Sequence, residues 1–371
     1  METGKTERKH IYYFDYLRIF ALVSVIFMHA ASAPLRAGVG GTDWQLTNAF
    51  TSLAFTAVPL FLMMSGYLSL TSEKTADYMF VLKRRLPRLV CTLAAWTAAA
   101  ALWLAISEGG GIRCFSSYLL SGFSGPIMVH FWYMYTLIAL TVISPFLYLG
   151  LANMGETGKK VTAALVVLVL LQTTVTILLP DKLKAYLVID LFDALKLFGG
   201  SLSAYLLGYF LGTMKKRIPN WALILTAAAD LCLIAAATAA KSAAKGKYDA
   251  ALQAQNGGFV ILLAACIFIL FRQNWDADCA FRRTASPLVE LSLGVYLIHN
   301  ILVSMAGEFG FSGMSFGYTC AKTAAVLALS YLTVKTLSSV KPLCWVFTGI
   351  KYADAKKSCA WGHAVRARRT E

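Results

Sequence analysis

Charged side chains are scarce in this chain of 371 residues, and Asp, Glu, Lys and Arg together make up only 14% of it. Soluble domains carry roughly a quarter of such residues, so an ordinary soluble fold is excluded. Hydrophobic residues make up 58%, and apolar runs of about 20 residues, enough to cross the hydrocarbon of a bilayer, recur along the whole length. The composition therefore predicts an all-α, polytopic membrane protein.

Cysteine pairs are a second feature that the sequence lacks. Its eight cysteines are scattered, with no Cys-x-x-Cys motif and no spacing typical of zinc ligands. Most of them fall in apolar segments or at their ends, where a cysteine behaves as a small apolar residue. We therefore expect neither a disulfide framework nor a metal site.

Positive charge is in excess, with a net charge of +15 at pH 7. In a soluble chain such an excess would indicate binding to nucleic acid. In bacterial-type membrane proteins, however, Lys and Arg collect in cytoplasmic loops. We therefore expect the lipid bilayer, and no nucleic acid, among the partners of this chain.

Ten apolar segments have the length of membrane-spanning helices and predict a bundle of about ten transmembrane helices. They lie at residues 12–33, 49–70, 87–107, 131–151, 161–180, 191–213, 219–240, 257–272, 286–305 and 316–340. If the N-terminus is cytoplasmic, the inner segments hold 23 of the Lys and Arg residues and the outer segments hold 7. This asymmetry predicts that both termini are cytoplasmic, as in a multi-pass protein of a bacterial inner or plasma membrane.

The first segment has an alternative interpretation. The run "LRIFALVSVIFMHAASAP" ends in "ASA", which is similar to the cleavage site of a secretory signal peptide. Cleavage at that point would remove two residues, Arg18 and His29, that are central to the chemistry considered next.

Ionisable side chains inside the first segment are its most informative feature. Arg18 and His29 are 11 positions apart, which places them within about 20° of each other around a helix and about 16 Å apart along it. Asp15, three residues before Arg18, is placed to pair with it. Separately, Arg18 could be a snorkelling anchor and His29 a helix-packing histidine. Together on one face, they favour a polar pathway that leads from the cytoplasm into the membrane.

Two further histidines lie at or near membrane depth. His130 precedes the segment 131–151 and is followed by Trp132 and Tyr133, which suit a membrane interface. His299 lies within the segment 286–305, where a histidine often makes a packing hydrogen bond. These residues are therefore secondary candidates for a site.

A basic cluster, "KRRLPR", precedes the third segment. Topology alone could account for Lys83 and Arg84, whereas Arg85 and Arg88 are three residues apart and share one helical face. Two guanidinium groups on one face suit a phosphate group. The cluster therefore indicates a phosphorylated ligand on the cytoplasmic side.

These motifs resemble those of the acyltransferase-3 family of integral-membrane acyltransferases, over about residues 10–340. The resemblance rests on the Arg18-x10-His29 pair preceded by Asp15 and on the Arg85-x-x-Arg88 pair. It also rests on three segments that are similar to family motifs: "LFLMMSGYL" with Ser65 and Gly66, "HFWYMYTLI" from His130, and "SLGVYLIH" with Tyr296 and His299.

The resemblance implies transfer of an acyl group, commonly acetyl, from cytosolic acyl-CoA to a hydroxyl or amine of an extracytoplasmic or membrane-associated acceptor. Such acceptors are usually sugars of cell-surface glycans, so polysaccharide modification by O-acetyl transfer is the expected reaction. The implied catalytic residues are His29, Arg18 and Asp15, and the implied acyl-CoA site is Arg84, Arg85 and Arg88. The implied substrate-binding or supporting residues are Ser65, His130, Trp132, Tyr133, Tyr296 and His299.

The domain organisation expected is a transmembrane acyltransferase domain at 1–340 and a short basic cytoplasmic tail at 341–371, too small for an extra soluble domain. Loops are expected at 108–130 and 241–256. The first is rich in glycine and serine and could line an acceptor site, although a plain connector is favoured.

A transporter or flippase is the competing function, because ten helices with a buried polar pathway also suit solute movement. The Arg85 and Arg88 pair favours the enzyme, since an acyl-CoA donor needs a phosphate clamp and a neutral solute does not. The sequence leaves open the acceptor, the acyl chain, O- versus N-transfer and the oligomeric state. It also leaves open whether His29 carries the acyl group covalently or only removes a proton.

Overall fold

The computed structural model describes residues 10–179, 199–310 and 313–352. Within these ranges the fold is all-α, as predicted, and contains no β-strand. The α-helices in chain order are α1 (Tyr12–Ala30), α2 (Ser32–Ala37), α3 (Thr42–Ala54), α4 (Ala57–Leu70), α5 (Tyr78–Ser107), α6 (Gly111–Ser124), α7 (Trp132–Asn153), α8 (Glu156–Leu178), α9 (Gly200–Thr213), α10 (Asn220–Lys245), α11 (Gly258–Asn274), α12 (Ala280–Glu290), α13 (Ser292–Glu308), α14 (Phe316–Ser338) and α15 (Lys341–Thr348).

Six helical stretches of the described ranges are long and apolar enough to cross a membrane, and a bent pair, α12 with α13, makes a seventh if it is one span. The chain is therefore a polytopic helical membrane protein. The predicted number of ten crossings stays a prediction. α11 has only 17 residues, short of the roughly 20 that span the hydrocarbon, and residues 191–198 of the predicted sixth span lie outside the described residues.

α1 lies at the centre of the bundle and packs against α3, α4, α13 and α14. Three of its apolar side chains, Leu17, Leu22 and Ile26, are completely buried. Such burial on several sides is typical of a central helix rather than of one that faces lipid.

α4 and α9 approach each other closely because glycines lie at their contact. A Cβ atom at Gly66 would overlap the carbonyl oxygen of Tyr205, and one at Gly208 would overlap that of Met63. Small residues at such crossings let two backbones meet in a membrane. The contact fixes α4 in place and, with it, the neighbouring Ser65.

The predicted loop 108–130 is wrong in part, because residues Gly111–Ser124 form α6. Gly122 lies against Thr97 of α5, so α6 folds back alongside α5. The apolar residues Ile112, Phe115 and Phe123 have helical spacing, but the many glycines and serines around them suggested a loop.

The predicted helix 286–305 is interrupted near its start, because α12 ends at Glu290, α13 begins at Ser292, and the two helices meet at a bend of 68°. α12 lies beside the start of α1, where Arg282 pairs with Asp15 at 3.1 Å. That pairing is a tertiary contact, so the period of the apolar residues could not reveal the bend.

The predicted tail 341–371 begins with α15, which packs against α5. The indole Nε1 of Trp96 donates a hydrogen bond to the carbonyl oxygen of Phe347 at 2.9 Å. Residues 353–371 of that tail, with most of its basic residues, lie outside the described residues. The domain boundary at residue 340 therefore stays a prediction.

Candidate active site

Two cavities lie along α1 and share one residue, Tyr296 of α13. The first, which we call the basic cavity, has a volume of about 640 Å³ and lies beside the first half of α1. The second, which we call the histidine cavity, has a volume of about 460 Å³ and lies beside the second half. Because Tyr296 belongs to both walls, the two cavities adjoin within the bundle.

The basic cavity collects four arginines: Arg18, Arg84, Arg85 and Arg88. The last three come from one stretch of α5, in which residues Val81–Arg85 form a π-helical turn. Pro87, which follows, has no N–H to donate, so the helix before it loses a regular bond and takes the wider turn. Wide turns of this kind are frequent at functional sites. Here the turn brings the three arginines to the same cavity wall.

The arginines of the basic cavity differ in how they are held. Arg85 donates hydrogen bonds to the hydroxyls of Thr75 at 2.8 Å and Ser72 at 3.3 Å, so its guanidinium is anchored beside the cavity. Arg84 and Arg88 make no ion pair or side-chain hydrogen bond within the ranges that the structure describes. Their guanidinium groups are therefore available to an anion in the cavity.

Two predicted supporting residues, Ser65 and Tyr133, also line the basic cavity, on α4 and α7. Its remaining wall combines apolar side chains, such as Phe61 and Met64, with the carboxyl group of Glu290 and the hydroxyls of Thr141 and Ser292. The cavity is thus most basic where the α5 arginines lie, and elsewhere its lining mixes apolar and polar side chains. A ligand with a phosphorylated end and an uncharged arm would match this division.

The histidine cavity is built around a cluster of three imidazoles. The ring centroid of His29 lies 5.2 Å from that of His299 and 6.0 Å from that of His130, and the latter two are 4.8 Å apart. His29 is half-buried and lines the cavity with His130 and Trp132. His299 is fully buried directly behind them and is not part of the cavity wall.

Backbone carbonyls fix the tautomers of two of these histidines. Nε2 of His130 donates to the carbonyl oxygen of Leu297 at 2.9 Å, and Nδ1 of His299 donates to that of Tyr296. The hydroxyl of Tyr296 in turn donates to the carbonyl oxygen of His130 at 2.6 Å. When neutral, His130 therefore keeps a lone pair on Nδ1 and His299 keeps one on Nε2, and both atoms are buried without a partner in the described part of the chain.

The ring of His29 is held differently from the other two. No hydrogen bond joins it to another described residue, although Ser32 donates to its backbone carbonyl at 2.9 Å. Its orientation comes from packing, and both ring nitrogens can serve a ligand. Of the three histidines, His29 is the one best placed for proton transfer with a molecule in the cavity.

Sequence reasoning missed the residues that the segment 246–257 brings to the histidine cavity. Tyr248 and Gln255 line it, and the hydroxyl of Tyr248 donates to the side chain of Gln253. Gln253 is completely buried and donates to Asn48 at 2.9 Å and to Ser52 at 2.8 Å, which anchors the segment. Burial raises the pKa of Tyr248 well above its usual range, so its phenol stays protonated. The sequence signal was a cluster of amides in an otherwise small-residue loop.

Asp15 lines neither cavity. Its carboxylate, with only 5% of the side chain exposed, lies 3.1 Å from Arg282, 2.7 Å from His10 and 3.8 Å from Arg18. Arg282 also donates to Asp278 at 2.6 Å, and this hydrogen bond holds the pKa of the Asp278 carboxyl below its usual value. The predicted Asp15 and Arg18 pair is therefore the longest contact of a network that ties α1 to α12.

The predicted residues thus line one cavity, the other, both or neither. Arg18, Ser65, Arg84, Arg85, Arg88 and Tyr133 line the basic cavity, His29, His130 and Trp132 line the histidine cavity, and Tyr296 lines both. His299 belongs to the histidine cluster but lies behind the cavity wall. Asp15 lies in the network of ion pairs that ties the start of α1 to α12. Within the described ranges, no group of three or more His, Cys, Asp and Glu side chains has an arrangement that could hold a metal ion.

Comparison with protein families gives one match, to an acyltransferase domain over residues 11–335. No curated protein and no solved structure gives a significant match. The matched region covers nearly the whole chain and includes all the predicted site residues. The bundle holds a cluster of arginines in one cavity and a cluster of histidines at the other, with Tyr296 in both walls. Because the family match covers nearly the whole chain, the protein is a membrane acyltransferase and belongs to the acyltransferase-3 family.

Proposed function

We propose that this protein moves an acetyl group from acetyl-CoA, bound in the basic cavity, to a hydroxyl of an acceptor bound in the histidine cavity. The observation that carries the proposal is that the two cavities adjoin at Tyr296. A donor with its phosphates at the α5 arginines would extend its arm toward Tyr296. An acceptor beside His29 would meet the thioester there.

The donor side is supported by charge and shape. Arg84 and Arg88 have no protein partner in the described ranges and can bind phosphate oxygens in charge-assisted hydrogen bonds. Arg85, held by Thr75 and Ser72, supplies fixed positive charge beside them. Arg18 lies on the same cavity and would hold the donor closer to Tyr296.

The chemistry is direct acyl transfer with His29 as general base. The acceptor hydroxyl gives its proton to a ring nitrogen of His29 while its oxygen attacks the thioester carbonyl. A C–O bond forms, the carbonyl oxygen gains the negative charge, and the C–S bond then breaks. The CoA thiolate leaves and takes the proton from His29, so the products are the acetylated acceptor and free CoA.

The acceptor side favours a hydroxyl-rich molecule such as a glycan. Trp132 gives the histidine cavity an aromatic wall, and Asn300 adds an amide. Thr51 Oγ1 and Gln255 Oε1 line the same cavity and are buried without a hydrogen-bond partner in the described chain. Unpaired buried polar atoms are costly, so a ligand that pairs with them gains affinity.

The orientation that this reaction needs places the basic cavity at the cytoplasm, where acyl-CoA is found. The distribution of Lys and Arg supports it. In a variant whose native cysteines are serines, Lys83→Cys and Lys247→Cys place a thiol on an exposed position at either end of the bundle. A membrane-impermeant maleimide added to intact cells should label the Lys247→Cys protein alone. Labelling of the Lys83→Cys protein instead would show that the protein has the opposite orientation.

The function is tested with membrane vesicles from cells that do or do not produce the protein, supplied with acetyl-CoA labelled in the acetyl group. The proposal predicts release of CoA thiol together with an equal amount of label in a glycan or lipid fraction, only when the protein is present. Uptake of a labelled solute without release of CoA would favour the transporter instead.

A further inference from the structure

A third cavity, of about 440 Å³, adjoins the basic cavity, and Tyr296 is not among its lining residues. It shares Phe80, Arg84 and Arg88 with the basic cavity. Its other wall is formed by four residues at the end of the described chain: Trp345, Gly349, Ile350 and Lys351. We call it the C-terminal cavity. None of these four residues lies within the region 11–335 that matches the family.

The position of this wall is fixed by the end of α15. Gly349 ends the helix in the left-handed conformation, with φ of 65°, and the turn brings Ile350 and Lys351 back toward α5. The chain passes so close to Arg88 that a Cβ atom on Gly349 would lie 2.8 Å from its Nε. The C-terminal turn therefore rests directly on an arginine of the basic cavity.

The lining of the C-terminal cavity combines three cations with two aromatic rings. Arg84, Arg88 and Lys351 supply the charge, Phe80 and Trp345 supply the rings, and no acidic residue is present in this lining. Aromatic and guanidinium surfaces stack on nucleobases, and the cations bind phosphate. Aromatic and basic residues also occur at membrane surfaces. The C-terminal cavity is continuous with the basic cavity. This continuity favours a nucleotide that forms one end of a longer ligand, because a lipid headgroup would need no second cavity.

We propose that the C-terminal cavity holds the adenosine end of the acyl-CoA donor, with the adenine on Trp345 and the 3′-phosphate at Lys351. This inference rests on the proposed function. The pyrophosphate would then lie at Arg84 and Arg88, between the two cavities, and the acyl arm would run toward Tyr296. The segment after residue 340 thereby becomes part of the donor site.

Binding of CoA and of dephospho-CoA, which lacks the 3′-phosphate, to the purified full-length protein in lipid nanodiscs tests the proposal. The unaltered protein should prefer CoA by about tenfold, the low end for a charge-assisted contact. Lys351→Ala should remove this preference and leave the affinity for dephospho-CoA unchanged. Trp345→Ala should weaken both ligands by about tenfold or more, whereas Trp345→Phe should bind nearly normally. Lys341→Ala, an exposed charge of the same helix outside the cavity, is the matched control.

The outcomes separate this inference from the proposed function. If the unaltered protein binds CoA but Lys351→Ala keeps the preference, or Trp345→Ala binds both ligands normally, the C-terminal cavity is not the adenosine site and the donor site stands. If the unaltered protein binds neither ligand, both proposals fall. If Lys351→Ala and Trp345→Ala reduce binding of phosphatidylglycerol but not of CoA, the cavity serves a lipid headgroup. A thermal melt of each variant verifies that it is folded.

Discussion

Replacing His29 with glutamine tests the chemistry at the centre of the bundle. Glutamine has a similar reach and can form hydrogen bonds, but it cannot take up a proton near neutral pH. His29 is half-buried, and its ring makes no hydrogen bond to the described part of the chain, so the substitution leaves no protein group without its partner. We therefore expect little loss of stability and no change in CoA affinity.

The expected loss lies in the chemical step. A positioned general base contributes a factor of about 100 to 10,000 in rate, or about 3–5 kcal/mol of the activation free energy. His130 and His299 do not readily replace His29, because the free nitrogen of each, Nδ1 of His130 and Nε2 of His299, is buried. The turnover of His29→Gln should therefore fall by at least about 100-fold.

The assay follows CoA thiol release and transfer of labelled acetyl in membrane vesicles at saturating acetyl-CoA. The matched control is His10→Gln, the same substitution at a histidine that hydrogen-bonds Asp15 and lines neither cavity. It should retain near-normal turnover. Near-normal turnover of His29→Gln, with CoA affinity unchanged, would refute the role of His29 as base and leave His130 as the next candidate.

Three further substitutions test other parts of the structure. Arg88→Ala should weaken CoA binding by about tenfold or more, and Arg88→Lys should recover part of this loss. The control Lys83→Ala should bind CoA normally. Gly66→Ala should cost about 1–3 kcal/mol in the free energy of unfolding, because its Cβ would force α4 and α9 apart, and an unchanged thermal midpoint would contradict this contact. Asp15→Ala should cost about 1.5–3 kcal/mol, because Arg282 loses this carboxylate but keeps Asp278, and combined Asp15→Leu and Arg282→Met should recover much of the loss in thermal melts.

The sequence by itself determined the membrane class, the all-α fold and the main candidates for the site. Apolar runs of spanning length report burial in lipid directly, because each helix must satisfy its own backbone hydrogen bonds there. The helical period was enough to place Arg18 and His29 on one face of α1. Local motifs around Arg88 and His130 carried the family resemblance, and the match over residues 11–335 confirmed it.

Only the tertiary structure decided how these residues meet. The imidazoles of His29, His130 and His299 come from three separate helical segments, and their spacing in sequence carries no information about the distances between their rings. The same holds for Tyr248 and Gln255, which a buried amide network brings to the histidine cavity.

The bend between α12 and α13, and the return of the chain at Gly349 onto Arg88, likewise depend on contacts between distant segments. A periodic pattern specifies which face of a helix is buried, but not which partner covers it. For this reason the sequence predicted the chemistry of the site, and only the packed bundle revealed that two cavities adjoin at Tyr296.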